Sequence, residues 1–326
     1  NWYEVFAMEN NLMKMMELDC EKTVNAIVKF VREKVTQNNR DGIVLGLSGG
    51  LDSATVLALS VLAVSPQKVW ALYLPDRSSD VLFFKRCKRI ATDFRVHFKT
   101  INIEQEISNE MDIYKSLPVK ITELSALLNR LLVFLFNRFL CSSVLKDTPF
   151  GLSLRQQTVD VKRGISRIIS SSVYAIESGF NARHRQRRKI LERFAQENNL
   201  LLLGAANRSE LFVGWFVKGG IDDLPVSLLT GLYKNQVRQI AYYLGLSEEL
   251  INQPPSPDML KGITDEDIIG ISYDKIDKTA YVIEHKLSEK YTPEQIAQLW
   301  NDTKKEKKIK KLERAANNVI KIYDLN

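Results

Sequence analysis

The stretch GIVLGLSGGLDSATVLALSVL, Gly42–Leu62, passes from one apolar run through a pair of glycines into another. Its first part is short, branched and apolar, the composition of a buried strand, and its second, from Asp52, has the length and Ala/Leu content of a helix. A strand that turns through Ser48, Gly49, Gly50, Leu51, Asp52 and Ser53 into a helix leaves the helix's first amides unbonded and its positive dipole end at the bend, where an anion fits. The glycines let the backbone approach a phosphate closely, and the Ser48 and Ser53 hydroxyls can donate to its oxygens. Asp52 is out of place in a pure anion site. A carboxylate beside phosphate makes sense when a divalent cation such as Mg2+ bridges the two. The plainer alternative is a tight strand–helix turn in which Asp52 or Ser53 caps the helix. The bend lacks the lysine of GxxxxGK[ST], so it is not the loop of ATPases that cleave at the γ-phosphate.

Outward from this bend the same alternation continues. KVWALYLP and VHFKTINI read as two further strands, with DVLFFKRCKRIATDF as a helix between them. Residues 13–37 read as one amphipathic helix ahead of GIVLGLS, ended by the polar TQNNRDG. The pattern resumes with the basic helix NARHRQRRKILERFAQENN, the strand LLLLGAAN, the helix YKNQVRQIAYYLGL and the Pro-rich NQPPSPDML. Strands alternating with helices predict an α/β fold, a doubly wound parallel sheet with flanking helices, whose ligands sit at the carboxyl ends of the strands. The SGGLDS bend lies at such an end. Residues 105–178 interrupt the pattern and read as a helical insertion, with a very apolar helix at Glu123–Leu145. The expected organisation is an N-terminal helical segment over 1–40, the main domain over 41–278 containing that insertion, and a basic helical tail over 279–326.

The 326 residues allow one large α/β domain or two smaller ones, and 46 Lys and Arg against 39 Asp and Glu leave a net charge of +7, which favours anionic partners. Cys20, Cys87 and Cys141 are scattered and in no metal spacing, which predicts a reduced, cytoplasmic setting without a disulfide framework. No basic start followed by an apolar run opens the chain, so no signal peptide is expected in it. The helix at Glu123–Leu145 carries Arg130 and Arg138, which argues against a membrane span and for packing against protein. Leu127, Leu131, Phe134 and Leu135 recur at helical spacing, a face suited to a homodimer interface or to the subunit's own core.

LSGGLDS after a strand resembles the PP-loop of the ATP pyrophosphatases, an adenine nucleotide α-hydrolase-like fold whose members adenylate a substrate. Several further segments resemble the ammonia-dependent NAD synthetase family: GFNARHRQR, LLLLGAANRSELFVGWFVKGGIDDLPVSLLTGLYKNQVRQIAYYLGL, PPSPDML and TDEDIIGISYDKID. They correspond to that family's GNxKARxRM, GTxNxSE, GxxTKxGDGxxDxxP, LxK, P[ST]ADL and DExxLGxxYxxID motifs, in the family's order. The resemblance implies that the nicotinate carboxylate of deamido-NAD attacks the α-phosphate of ATP, releasing pyrophosphate, and that ammonia then displaces AMP from the acyl adenylate. Ser48, Gly49, Gly50 and Ser53 would cradle the β- and γ-phosphates, and Asp52 and Glu210 would hold Mg2+. Lys234 would reach the phosphates, with Ser256 beside them, and Arg183, Arg185 and Lys218 would contact the dinucleotide. An acidic residue of the 218–225 loop would hold and deprotonate ammonium. The resemblance also implies a homodimer acting on small molecules, with neither membrane nor nucleic acid as partner. Glutamine hydrolysis needs an activated cysteine in a separate domain, which the length and the three cysteines do not provide.

Taken without the motifs, Glu210 can equally be an exposed carboxylate at a helix start, Lys234 a solvated lysine, and Arg183, Arg185, Arg187 and Arg188 a solvated helix face. His184, between the arginines, reads as a surface residue. Two positions depart from the family pattern. Its GTxN threonine is Ala205 here, and its KxGDGxxD loop is shortened to KGGIDD, so Asp222 or Asp223 must cover the acidic roles. These departures leave room for two other readings: a relative that adenylates a different carboxylate or a tRNA base, or a nucleotide-binding scaffold that has lost catalysis.

Overall fold

The computed structural model describes residues 11–76, 79–104, 126–136, 148–151, 165–256 and 261–287, with seven more between 307 and 317; over 165–175 it describes the backbone alone. Four strands form one wholly parallel sheet: β1 (Gly42–Gly46), β2 (Val69–Tyr73), β3 (His97–Thr100) and β4 (Leu200–Leu203), in the order β3-β2-β1-β4. In β1, Ile43 and Leu45 enter one apolar core and Val44 enters another on the opposite face, as the two-residue period of a strand requires. The first core holds α1 (Cys20–Gln37), α2 (Leu51–Ala63) and α7 (Lys234–Tyr243); the second holds α5 (Ile165–Glu197). Helices therefore cover both faces, the doubly wound α/β arrangement expected. Gly42 is required where it stands, because a Cβ there would lie 2.2 Å from the Lys68 carbonyl oxygen on the neighbouring strand's approach.

The central helix α2 is buried at ten of its thirteen positions, since it is enclosed by the sheet, α1 and α7; its uniformly apolar sequence fits that burial. α3 (Val81–Asp93) covers the β2–β3 edge, with Asp80 accepting from the Leu82 amide at 3.0 Å as its cap. Two elements differ from the sequence reading. The helix expected over 13–37 breaks after Met16, because Asp19 caps a new helix by accepting from the Lys22 amide at 2.9 Å. The basic helix expected from Asn181 begins at Ile165, so α5 runs for 33 residues and its first turns are the small-residue run ISRIISSS.

Of the apolar helix at Glu123–Leu145, the part within the described residues is α4 (Ala126–Leu135). Its Arg130 Nε donates to the Gly262 carbonyl at 2.8 Å, which docks it beside the turn at residues 261–262. Leu127, Leu131 and Phe134 are nevertheless 81%, 52% and 59% exposed, so these positions do not cap the subunit's own core. Among the described residues no helix is long and apolar enough to cross a membrane. The chain's second half adds α6 (Arg208–Val213), α8 (Glu248–Ile251), α9 (Asp265–Ile269) and α10 (Tyr273–Glu284). Of these, α6 and α10 pack together and against α7.

Candidate active site

The carboxyl ends of β1 and β4 open into one cavity of about 680 Å3, within the roughly 300–1,000 Å3 of small-molecule clefts. At its polar end lies the SGGLDS bend. Gly49 sits at φ +79°, and any Cβ on it would press against the Phe83 carbonyl of α3 at 3.2 Å, so only glycine serves. The bend is held by its own hydroxyls. Ser53 Oγ donates to the Gly50 carbonyl at 3.1 Å and accepts from the Ser48 amide at 3.2 Å, while Ser48 Oγ accepts from the Gly50 amide at 3.2 Å. Gly50 caps α2 without a side chain, so the first amides of that helix meet no side-chain acceptor from it.

Three chain segments bring charge to this bend. Asp52 comes from the first turn of α2, Glu210 from the first turn of α6, and Lys234 is the first residue of α7. Lys234 Nζ contacts Asp52 Oδ2 directly, lies 3.7 Å from Glu210 Oε1 and sits 5.0 Å over the Tyr273 ring. The lysine is only 3% exposed. Burial pulls its ammonium down, but Asp52 and Glu210 outweigh that and hold its pKa above the ordinary lysine value. Burial pushes Glu210 well above the usual carboxylate range; Lys234 pulls it back, and Asp52, Asp222 and Asp265 push it up again. Burial likewise lifts Asp265 to about 6. Carboxylate oxygens are the hard donors that a divalent cation takes, but among the described residues no three carboxylate, histidine or cysteine side chains are arranged to hold a metal ion.

Around these groups lies a second tier of polar residues absent from the sequence-based site. Asn207 caps α6 in a reciprocal box: its Oδ1 accepts from the Glu210 amide at 3.0 Å, while Glu210 Oε2 accepts from the Asn207 amide at 3.2 Å. Asn207 Nδ2 donates to Asp52 Oδ1 at 3.2 Å, so one buried amide sets the distance between the two candidate metal carboxylates. The N-x-x-E pattern at Asn207 and Glu210 was the signal for this cap. Asp277, fully buried on α10, accepts from Ser209 Oγ and from the Asn235 amide at 2.7 Å, and Ser209 Oγ accepts from the Lys234 amide at 2.8 Å. Asp265 accepts from Tyr273 Oη at 3.2 Å, which fixes the ring beneath Lys234.

Ser48, Gly50, Asp52, Ser53, Glu210, Asp222, Lys234 and Ser256 all line the cavity, with Ser256 Oγ donating to the Ile263 carbonyl at 3.1 Å. The basic residues behave differently from expectation. Arg183 is fully buried with its Nε 3.3 Å from Asp76 Oδ2, so it braces the end of β2 and does not meet the cavity. Arg187, one turn on, reaches the cavity while its Nε donates to the Leu74 carbonyl at 2.9 Å. Arg185 and Lys218 stand together outside the lining, Arg185 Nε lying 3.5 Å from the Lys218 carbonyl. Asp223 is also outside it. Much of the remaining wall is apolar, with Phe83, Phe150, Phe180 and Trp215 and, on one side, Leu132 and Val133 of α4.

A glycine bend at a helix start beside a carboxylate–lysine cluster suits an anionic, nucleotide-like ligand without naming the substrate. The family model described as NAD synthase matches residues 23–126 and 150–318. The chain belongs to the NAD synthase family. Residues 127–149, which include most of α4, fall between the two matched spans. An NH(3)-dependent NAD(+) synthetase from Coprothermobacter proteolyticus is 31% identical over 274 residues, 84% of this chain and 87% of the relative. One from Thermotoga maritima is 29% identical, over 79% of this chain and 86% of the relative. Among solved structures, an NMN synthetase from Francisella tularensis matches with a TM-score of 0.60 at 21% identity, over 92% of this chain and 94% of that one. An NH3-dependent NAD synthetase from Campylobacter jejuni matches with a TM-score of 0.54 at 23% identity, over 89% and 95%. These two likenesses show that the NAD synthase fold is shared.

Proposed function

We propose that this chain is an ATP-dependent, AMP-forming amide ligase that converts deamido-NAD, ATP and ammonia to NAD, AMP and pyrophosphate. The observation that carries the reading is the meeting of Asp52, Glu210 and Lys234, from three separate segments, at the mouth of the SGGLDS bend. A carboxylate is a poor acyl donor because its leaving group would be oxide, and adenylation replaces that with AMP. The work of the site is then to neutralise phosphate charge and hold the nucleophile in line.

In this reading the bend amides and the Ser48 and Ser53 hydroxyls receive the β- and γ-phosphates, exchanging the hydrogen bonds they now make with one another. Lys234 turns its ammonium from Asp52 towards phosphate oxygen, a motion its flexible stem allows. Asp52 and Glu210 are the residues that would hold Mg2+, and the Asn207 bridge that brings their carboxylates together at the cavity supports that fit. Mg2+ would neutralise the phosphate oxygens as pyrophosphate departs. Arg187 supplies the positive charge for the dinucleotide that the sequence pattern assigns to Arg183. The exposed apolar face of α4 supports a homodimer, and the reduced thiols of Cys20 and Cys87 fit a cytoplasmic setting.

The test is product formation from purified protein. AMP and NAD should appear in equal amounts only when deamido-NAD, ATP, Mg2+ and ammonium are all supplied. AMP formation with another carboxylate but not with deamido-NAD would replace the acceptor, and ATP binding without turnover on any acceptor would leave a scaffold.

A further inference from the structure

The shortened loop Lys218–Pro225 offers two adjacent aspartates, and their surroundings separate them. Asp223 closes the turn: its Oδ2 accepts from the Gly219 amide at 2.8 Å, and its carbonyl accepts from Arg188 Nη1 at 2.6 Å. Asp222 faces the other way, into the cavity, with its Oδ2 2.8 Å from His184 Nδ1. The loop cannot slide along α5 to undo this contact. A Cβ on Gly220 would lie 2.9 Å from His184 Cβ, so the backbone is seated directly on the histidine. Ile221 fills the space beside Gly46 at the end of β1, where an added Cβ would lie 2.8 Å from Ile221 Cδ1.

His184 stands apart from the chain's other two histidines. His97 stacks on Trp70 at the outer edge of the sheet, and His285 stacks on Tyr281. His184 lines the cavity, its side chain 17% exposed. Its buried nitrogen, Nδ1, is the one beside Asp222, and among the described residues Nε2 makes no hydrogen bond. The Nδ1–Oδ2 contact has hydrogen-bond length without hydrogen-bond alignment, and the broad terminal torsion of an imidazole leaves the ring free to turn towards it. A carboxylate at Nδ1 fixes the tautomer that leaves Nε2 as the acceptor. The carboxylates nearest the bend are less suited to this task, because Asp52 and Glu210 are engaged with Lys234.

We propose that His184, held by Asp222, is the proton acceptor for the amidation step: Nε2 takes the proton that the nitrogen loses when ammonia attacks the acyl adenylate. This rests on the function proposed above. The ammonia lone pair forms the C–N bond as the carbonyl π pair moves to oxygen. One N–H proton passes to His184 Nε2. The carbonyl re-forms, the C–O bond to phosphate breaks, and AMP leaves with that electron pair. His184 then returns its proton to solvent. Adenylation involves no ammonia and does not use the pair.

The variants are His184→Gln and Asp222→Asn, each compared with the parent for thermal melting and for both half-reactions. Adenylation is read as deamido-NAD-dependent exchange of labelled pyrophosphate into ATP without ammonia, and amidation as NAD formation at fixed free ammonia from pH 5.5 to 9. His184→Gln should keep exchange within about twofold of the parent and lose about 10²–10⁴-fold in amidation, the usual worth of a positioned acid or base. The acid limb of the parent's amidation profile should vanish with it. Asp222→Asn should lose less and shift the limb. The charged groups that line the cavity with His184 are Asp222 from its loop, Asp52, Glu210, Lys234, Arg238 and Asp265 from other segments, and Glu177 and Arg187 on its own helix. All but the substituted residue remain in each variant, so an acid limb that survives in His184→Gln belongs to one of them and overturns the proposal. Unchanged amidation, or loss of exchange and amidation together in a variant that melts like the parent, also overturns it. Absence of exchange in the parent would instead refute the function on which the proposal rests.

Discussion

Asp277 should make the protein's stability depend on pH in a way that one isosteric substitution removes. Its carboxylate is fully buried where α6, α7 and α10 meet, and burial lifts its pKa to about 6, against the ordinary 3.8 that the unfolded chain would show. The folded state therefore takes up the Asp277 proton more readily than the unfolded state. The stability this confers is complete below the unfolded value and is lost as pH rises through about 6. A difference of about two units is worth about 3 kcal/mol, of which about 2 kcal/mol should be regained between pH 7.5 and pH 4.5. In Asp277→Asn an amide oxygen still accepts from the Asn235 amide, but nothing titrates. Urea unfolding of parent and variant across that range should therefore give free-energy differences that grow by about 2 kcal/mol in the parent's favour as pH falls. Parallel curves would mean that Asp277 is ionised at no cost in the fold, and the argument from burial would be wrong.

Asp52→Asn and Glu210→Gln should each slow pyrophosphate release by about 10²–10³-fold, the cost of one preorganised electrostatic group, with far-ultraviolet dichroism unchanged; near-parent turnover of either would remove it from the metal site. Gly220→Val should cost about 1–3 kcal/mol in urea unfolding, because the new side chain must displace His184 and Val217, and an unchanged midpoint would show the loop free to move. Leu131→Asp with Phe134→Asp on the exposed face of α4 should convert a dimer to a monomer in sedimentation at micromolar concentration. A parent that sediments as a monomer would leave that face without its proposed partner.

Much of the fold was legible because each β1-type strand is a short apolar run with both faces buried, and each following helix opens on a turn whose residues have few other uses. The bend itself was legible for the same reason: Gly49 needs a positive φ and the two serines bond across it. Elements hidden from the sequence were those decided by distant partners. Residues 165–175 belong by sequence to the insertion that interrupts the pattern, yet they begin the helix that covers β1 and β4. The arginines of GFNARHRQR are equivalent by charge; in the fold both Arg183 and Arg187 reach Asp76, and only Arg187 also lines the cavity. Likewise His184 looks like a surface residue until the 218–225 loop folds over it.

The contact between Lys234 and Asp52 joins residues 182 positions apart, and Asn207 reaches Asp52 across 155. Closing a loop of that length costs about 4–5 kcal/mol of chain entropy, which contacts made only late in folding must offset. β1, β2 and β3 all lie within residues 42–100 and can pair while the rest of the chain is still being made. β4 can add to the β1 edge only after a further hundred residues have left the ribosome. The nascent three-stranded sheet thus carries the SGGLDS bend with an open β1 edge and without Lys234, and it is at this stage that the chain is most exposed to strand-to-strand aggregation.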